Sequence, residues 1–234
     1  MALHRSRLDE AKCASPRDLV IFDCDGVLVD SEPIGLTALA EMLREEGFPI
    51  DAADAINQFR GRKLSACLDE MQQIFQRSLP AGFDLRYRHR AAERFKAELK
   101  PVEGIRTALA DITLRTCVAS SAPIEKVRLT LGITGLLDYF DGRIFSAYEL
   151  GVWKPDPGLF LHACRAMEST PDATIVIEDS VVGVQAARAA GMKVLGYAPP
   201  ERAVELQRAG AIVFEDMHTL PDLLRNSIEF EDVA

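Results

Sequence analysis

The chain has 234 residues, 48% hydrophobic and 27% charged, enough to bury a full core with room for a smaller second unit. Its formal net charge of −9 argues against a nucleic-acid partner, which calls for clustered Lys and Arg. No apolar run approaches the roughly 20 residues that span a bilayer, so no membrane partner is expected.

Residues 1–15 mix basic side chains with Asp9 and Glu10 and lack the apolar centre of a signal peptide, and they read as a flexible leader. The first strand is Leu19–Phe22, a continuous apolar run of the kind buried on both faces of a parallel sheet. It runs directly into Asp23-Cys24-Asp25-Gly26. Extended chain sends Cys24 to the side opposite Asp23 and Asp25, into the core.

Residues 34–101 hold no convincing strand, and show helical apolar spacing in Leu36, Leu39, Ala40, Leu43 and again in Leu64, Leu68, Met71, Phe75. The spacing predicts a helical insertion. Pro33 on one side and Pro101-Val102-Glu103-Gly104 on the other are suited to interrupting regular structure at a hinge, so the insertion reads as a cap that moves over a core. The insertion carries a net charge of +1 and the rest of the chain −10.

Three further strands follow, at Thr116–Ala119, Thr174–Ile177 and Lys193–Tyr197, each trailed by a helical pattern. Pro123 and Asp156-Pro157 open helices, and Ser180 caps a helix that Gly191 ends. Repeated strand-then-helix units make the core, residues 16–33 and 102–234, an α/β unit with a parallel sheet. Five cysteines, Cys13, Cys24, Cys67, Cys117 and Cys164, form no CxxC pair and are odd in number, so a reducing cytoplasmic setting is expected.

In such a sheet ligands bind beyond the carboxyl ends of the strands. Asp23 and Asp25 follow the first strand, Ser120 the second, and Glu178-Asp179 the third, while Lys154 sits in Trp153-Lys154-Pro155-Asp156-Pro157. Four acids packed together repel one another unless a cation lies among them. Mg²⁺ is the expected cofactor, because it prefers oxygen ligands and commonly bridges carboxylates to a substrate phosphate. With Lys154 and the Ser120 hydroxyl it would neutralise a phosphoryl group in flight, leaving one carboxylate to attack phosphorus and another to move protons.

DCDGVLVDSE, VASS, WKPDP and IEDS, in that order, resemble the four motifs of the haloacid dehalogenase superfamily across nearly the whole chain. The resemblance implies a Rossmann-like parallel-sheet core with an inserted α-helical cap. It makes Asp23 the nucleophile and Asp25 the general acid/base, with its backbone carbonyl on the metal. Ser120 and the adjacent Ser121 become phosphate or substrate ligands, and Lys154 offsets the charge of nucleophile and phosphate. Asp179 becomes a direct metal ligand, and Glu178 a metal ligand either directly or through water. The cap resembles that of sugar-phosphate phosphatases and phosphoglucomutases, and Phe145 to Ala163 is especially similar to bacterial phosphatases of 6-phosphogluconate. Arg60-Gly61-Arg62-Lys63 resembles the specificity loop of these caps, with Arg60 and Lys63 as substrate contacts, although a solvated turn explains the cations equally well.

The expected activity is therefore Mg²⁺-dependent hydrolysis of a small phosphate ester, a sugar phosphate or sugar-acid phosphate such as 6-phosphogluconate, through an aspartyl-phosphate. The alternatives are a β-phosphoglucomutase, a dehalogenase and a non-catalytic phosphate-binding module. Against the mutase, a histidine that couples sugar binding to cap closure in those enzymes falls on Gly35, and an arginine that grips the distant phosphate falls on Leu64. Other polar residues read as structural: Ser180 as an N-cap, Asp30 and Ser31 as hinge residues, Trp153 as packing or a lid on Lys154, and His89 with Arg86, Arg88, Arg90 and Arg94 as a solvated face.

Overall fold

A computed structural model describes residues 18–140 and 142–229; the leader 1–15 and Cys13 lie outside the described residues. β1 (Leu19–Phe22) is followed by four helices, α1 (Glu32–Glu45), α2 (Ala52–Phe59), α3 (Leu64–Phe75) and α4 (Phe83–Glu98), then by α5 (Ile105–Asp111) and β2 (Arg115–Ser120). Next come α6 (Ile124–Ile133), β3 (Ile144–Ser146), α7 (Ala147–Leu150), α8 (Gly158–Ala166) and β4 (Thr174–Glu178). The chain closes with α9 (Val181–Ala189), β5 (Lys193–Tyr197), α10 (Pro200–Ala209), β6 (Ile212–Phe214) and α11 (Leu220–Glu229).

The six strands form one parallel sheet in the order β3-β2-β1-β4-β5-β6. β1 is central and wholly buried, paired to β2 on one side and β4 on the other. Successive side chains on a strand face opposite ways. Val20 and Phe22 therefore join one apolar cluster with Val118, Ile175 and Ile177, while Leu19 and Ile21 join another with Cys117, Ala119 and Val176. Cys24 continues the first set and is fully buried, as the alternation predicts. β3 and β6 escape a sequence reading because each is only three residues long, too short to display a period.

Helices α1 to α4 make the expected cap around a third cluster that includes Leu39, Leu43, Phe48, Phe59, Leu68 and Met71. Phe75 lies at its margin, edge-on to Phe48 with ring centroids 6.0 Å apart. α1 begins at Glu32, before the expected boundary, and Pro33 sits in its first turn, where its missing N–H leaves nothing unpaired. This proline opens a helix rather than interrupting the chain. The two passages between cap and core run side by side, joined by Asp30 N to Lys100 O at 3.2 Å and Val102 N to Leu28 O at 3.0 Å. Cys24, Cys67, Cys117 and Cys164 are free and buried. Among the described residues, no helix is long and apolar enough to cross a membrane.

Phe140 is fully buried under the sheet with its ring 5.9 Å from that of Phe22. Phe140→Ala is expected to destabilise the protein by about 3–5 kcal/mol, read as a lower urea midpoint at unchanged slope.

Candidate active site

Where β1 ends, Asp23 N donates to Ile177 O on the neighbouring strand at 3.0 Å, which carries the acid out over the carboxyl edge of the sheet. The chain then turns tightly, with Leu28 N and Val29 N both on Cys24 O and Gly26 N on Val29 O. Gly26 adopts φ +82°, and a Cβ there would come within 2.4 Å of Asp179 Oδ2. Glycine is needed for the backbone angle and for the close approach of the two acidic loops.

Lys154 joins the motifs. Its Nζ lies 2.7 Å from Asp23 Oδ1 and 2.5 Å from Glu178 Oε1, and its side chain is almost wholly buried. The other oxygen of Glu178 accepts from Asp179 N, Ser180 N and Ser180 Oγ. Helix α9 passes so close that a Cβ on Gly183 would lie 1.9 Å from Glu178 Oε1. Glu178 thus spends both oxygens on protein donors, fixing Lys154 and the start of α9. Ser180 also accepts from Gly183 N at 3.1 Å, the N-cap read from sequence.

Ser120, the last residue of β2, is buried, and its Oγ accepts from Ala122 N at 3.1 Å. Asp25 is held at both carboxylate oxygens by Lys126 Nζ, each at 2.9 Å, and receives a hydrogen bond from Ser31 Oγ. These groups line one cavity of about 390 Å³ between core and cap, which includes Asp23, Asp25, Ser120, Ser121, Lys154 and Asp179.

Burial pushes the Asp23 carboxyl up to about 7, against the pull of Lys154, with Glu178 and Asp25 adding repulsion. Burial likewise raises Asp179 well above the ordinary carboxylate range, helped by Glu178, Glu32 and Asp23. Asp25 goes the other way. Burial alone would raise it, but Lys126 and Ser31 together hold it below its usual value. Asp23, Glu178 and Asp179 each offer an oxygen within 4.8 Å of the others. An all-oxygen set with two acids reluctant to ionise unaided fits a hard divalent cation.

Of the expected cap contacts, Lys63 lines the cavity and Arg60 does not: its Nε lies 3.3 Å from Glu32 Oε2, while Gly61 N donates to Glu32 Oε1 at 2.7 Å. Ser31 belongs with Asp25 rather than with the hinge alone. Trp153 packs under the ammonium of Lys63, 3.6 Å from the ring centroid, and against the apolar cluster of Leu159 and Phe160, the packing role expected of it. His89 is exposed on α4, as expected. Lys126, Tyr87 and Arg88 also line the cavity, beyond the residues that the sequence motifs point to. A signal for two of them lies on α4, where Tyr87, Ala91 and Phe95 recur at helical spacing and mark the inward face beside Arg88. Lys126 gives no local signal, because its partner Asp25 is remote in sequence.

The profile of the haloacid dehalogenase-like hydrolases matches residues 17–191. The chain belongs to that family. It is 34% identical to the 6-phosphogluconate phosphatase of Escherichia coli over 213 residues, covering 88% of this chain and 94% of that protein. A haloacid dehalogenase-like protein of Agrobacterium tumefaciens is 34% identical with a TM-score of 0.79, covering 90% of this chain and 99% of its own. A hydrolase of the family from Deinococcus radiodurans, solved with bound phosphate and sodium, is 27% identical with a TM-score of 0.73, covering 93% and 97%. As a member of this family the chain is a phosphoric monoester hydrolase, acting on phosphorylated small molecules.

A raised carboxyl stabilises the fold in its protonated form. The Asp23 contribution is therefore fully present below about pH 4 and lost as pH rises through about 7. A divalent cation bound among these oxygens would oppose that loss. The rise in Tm produced by the cation, relative to chelator, is expected to be larger at pH 8 than at pH 5 in thermal melts; equal rises would place its binding elsewhere.

Proposed function

We propose that this protein hydrolyses the phosphate ester of a small sugar or sugar acid, with 6-phosphogluconate as the leading substrate, through an aspartyl-phosphate on Asp23. The observation that carries this reading is the Lys154 bridge between Asp23 and Glu178 on the floor of a cavity that also presents Ser120, Asp25 and Asp179. Similarity to a 6-phosphogluconate phosphatase and to a hydrolase holding phosphate supports it.

In the proposed reaction the phosphoryl oxygens lie against Lys154, Ser120 and Ser121. An Asp23 oxygen attacks phosphorus in line, the ester P–O bond breaks, and Asp25, protonated against the pull of Lys126 and Ser31 as the dianionic ester binds beside it, gives that proton to the departing alkoxide. Asp25 then takes a proton from water, whose oxygen attacks the aspartyl-phosphate and frees inorganic phosphate and Asp23. Asp23, Asp179 and the backbone carbonyl of Asp25, with Glu178 beside them, would hold Mg²⁺, which would supply charge for the acids to ionise together and for the phosphoryl oxygens. Burial of Asp23, Ser120 and Lys154 limits competing water at the start of the reaction.

Hydrolysis is favoured over mutase chemistry by the surroundings of Gly35, where a Cβ would lie 3.2 Å from Tyr87 Oη and 3.6 Å from Phe95. Cap side chains occupy the space that a histidine at this position would enter.

Asp23→Asn is expected to abolish phosphate release with the melting profile retained, and Asp25→Asn to lower kcat by about 10²- to 10⁴-fold. A colorimetric phosphate assay on the purified variants decides, and substantial turnover by Asp23→Asn would refute the covalent route. With β-glucose 1-phosphate and a trace of its 1,6-bisphosphate, NMR should show one inorganic phosphate released per ester consumed. Glucose 6-phosphate accumulating without free phosphate would instead identify a mutase.

A further inference from the structure

The two walls of the cavity differ in charge. The core side presents Asp23, Asp25, Glu125 and Asp179 with Lys126 and Lys154, whereas the cap helices and their loops contribute Arg62, Lys63 and Arg88 against one carboxylate, Glu32. Most of the cavity's cations are already committed: Lys154 to Asp23 and Glu178, Lys126 to Asp25, and Arg62 to Glu70 at 2.5 Å. Lys63 and Arg88 are different. Among the described residues neither is paired with a carboxylate, and each rests on an aromatic ring of the core.

Those rings form a unit. Tyr148 and Trp153 meet edge to face with centroids 5.5 Å apart. Lys63 Nζ stands 3.6 Å from the Trp153 centroid, and the Arg88 guanidinium lies 5.4 Å from that of Tyr148 while donating Nη2–H to its hydroxyl at 3.1 Å. Among the described residues Trp153 Nε1 is buried with no acceptor, and the indole meets Lys63 through its ring face. A ring face steadies a cation without using its N–H groups. Arginine carries five such donors and lysine three, so most remain available to an anion. The clasp is also tied to the chemistry, because Trp153 precedes Lys154 directly in the chain.

We propose that Arg88 and Lys63 form a subsite for a second anionic group carried by the leaving portion of the substrate, a carboxylate or a further phosphate, so that Arg88 is a specificity-determining residue. This rests on the phosphatase reading and narrows it. The phosphoryl group sits at the buried floor, and the alcohol extends towards the cap wall, where its own negative charge meets two cations held in place before it arrives. Neutral sugar phosphates fill the same floor but leave this subsite without its anion.

The test compares kcat/KM for three esters of equal chain length: an aldonic acid 6-phosphate, the neutral alditol 6-phosphate and the alditol 1,6-bisphosphate. The wild type is expected to prefer a doubly anionic ester over the neutral one by about tenfold or more, as a charge-assisted hydrogen-bonded contact allows. Whichever anionic ester leads identifies the second group as carboxylate or phosphate. Arg88→Gln should shrink the preference about tenfold, through KM rather than kcat, and adding Lys63→Gln should remove most of what is left. Arg90→Gln, on the same helix but paired with Glu45 at 2.6 Å, should leave the ratio unchanged. A wild type that hydrolyses neutral and anionic esters equally well, or an Arg88→Gln loss of the same size on both, would overturn the subsite and leave the phosphatase reading intact. Phosphate release from none of the esters would overturn both.

Discussion

Everything at this site is arranged around the cost of burying several carboxylates at one edge of a sheet. An ionised acid taken out of water must be paired or it gives up its charge. Asp23, Glu178 and Asp179 are all nearly or wholly buried, and the fold meets this cost with one ammonium between Asp23 and Glu178 and with a bed of donors under the second oxygen of Glu178. Among the described residues Asp179 receives less, with the edge of Arg202 at 3.7 Å from its Oδ2. The shortfall in positive charge falls among the oxygens that converge within 4.8 Å, and that is where a cation is most strongly favoured.

Two carboxylates only two positions apart in sequence are driven in opposite directions by this arrangement. Asp23 sits against further acids and is pushed towards neutrality, whereas Asp25 is clasped by Lys126 and Ser31 and stays charged. In the proposed reaction each acid must leave this resting charge: Asp23 ionises beside a cation to serve as nucleophile, and Asp25 takes up a proton to serve as acid. The division depends on α6, which delivers Lys126, and on the first residues leading into α1, which deliver Ser31.

The cap answers the core with charge of the other sign. Its cavity-facing side carries Arg62, Lys63 and Arg88 against the single carboxylate Glu32, and two of these cations lie on the aromatic faces of Tyr148 in α7 and of Trp153 beside Lys154. A cation on a ring keeps its hydrogen-bond donors, whereas one in a bidentate ion pair does not. In the proposed function cap and core divide the substrate between them: the chemistry of the phosphoryl group belongs to the sheet edge, and recognition of what it is attached to belongs to the helices above.

The chain itself determined whatever depends on neighbours in sequence. Leu19–Phe22 running into Asp23 and Asp25, Thr174–Ile177 running into Glu178 and Asp179, and the helical spacing of Leu39, Leu43, Leu68 and Met71 are local patterns, and the structure repeats them as buried strands and an apolar cap. What the tertiary structure alone decided are the pairings between distant segments. Lys126 meets Asp25 across 101 positions, Arg88 meets Tyr148 across 60, and Arg60 turns to Glu32 instead of the cavity. A run such as Arg86, Arg88, Arg90 and Arg94 reads as one solvated face, yet α4 sends Arg90 and Arg94 to the acids of α1 and Arg88 into the site. Identical side chains on one helix differ only in the direction they leave it, and that direction acquires a meaning only once the neighbouring elements are packed in place.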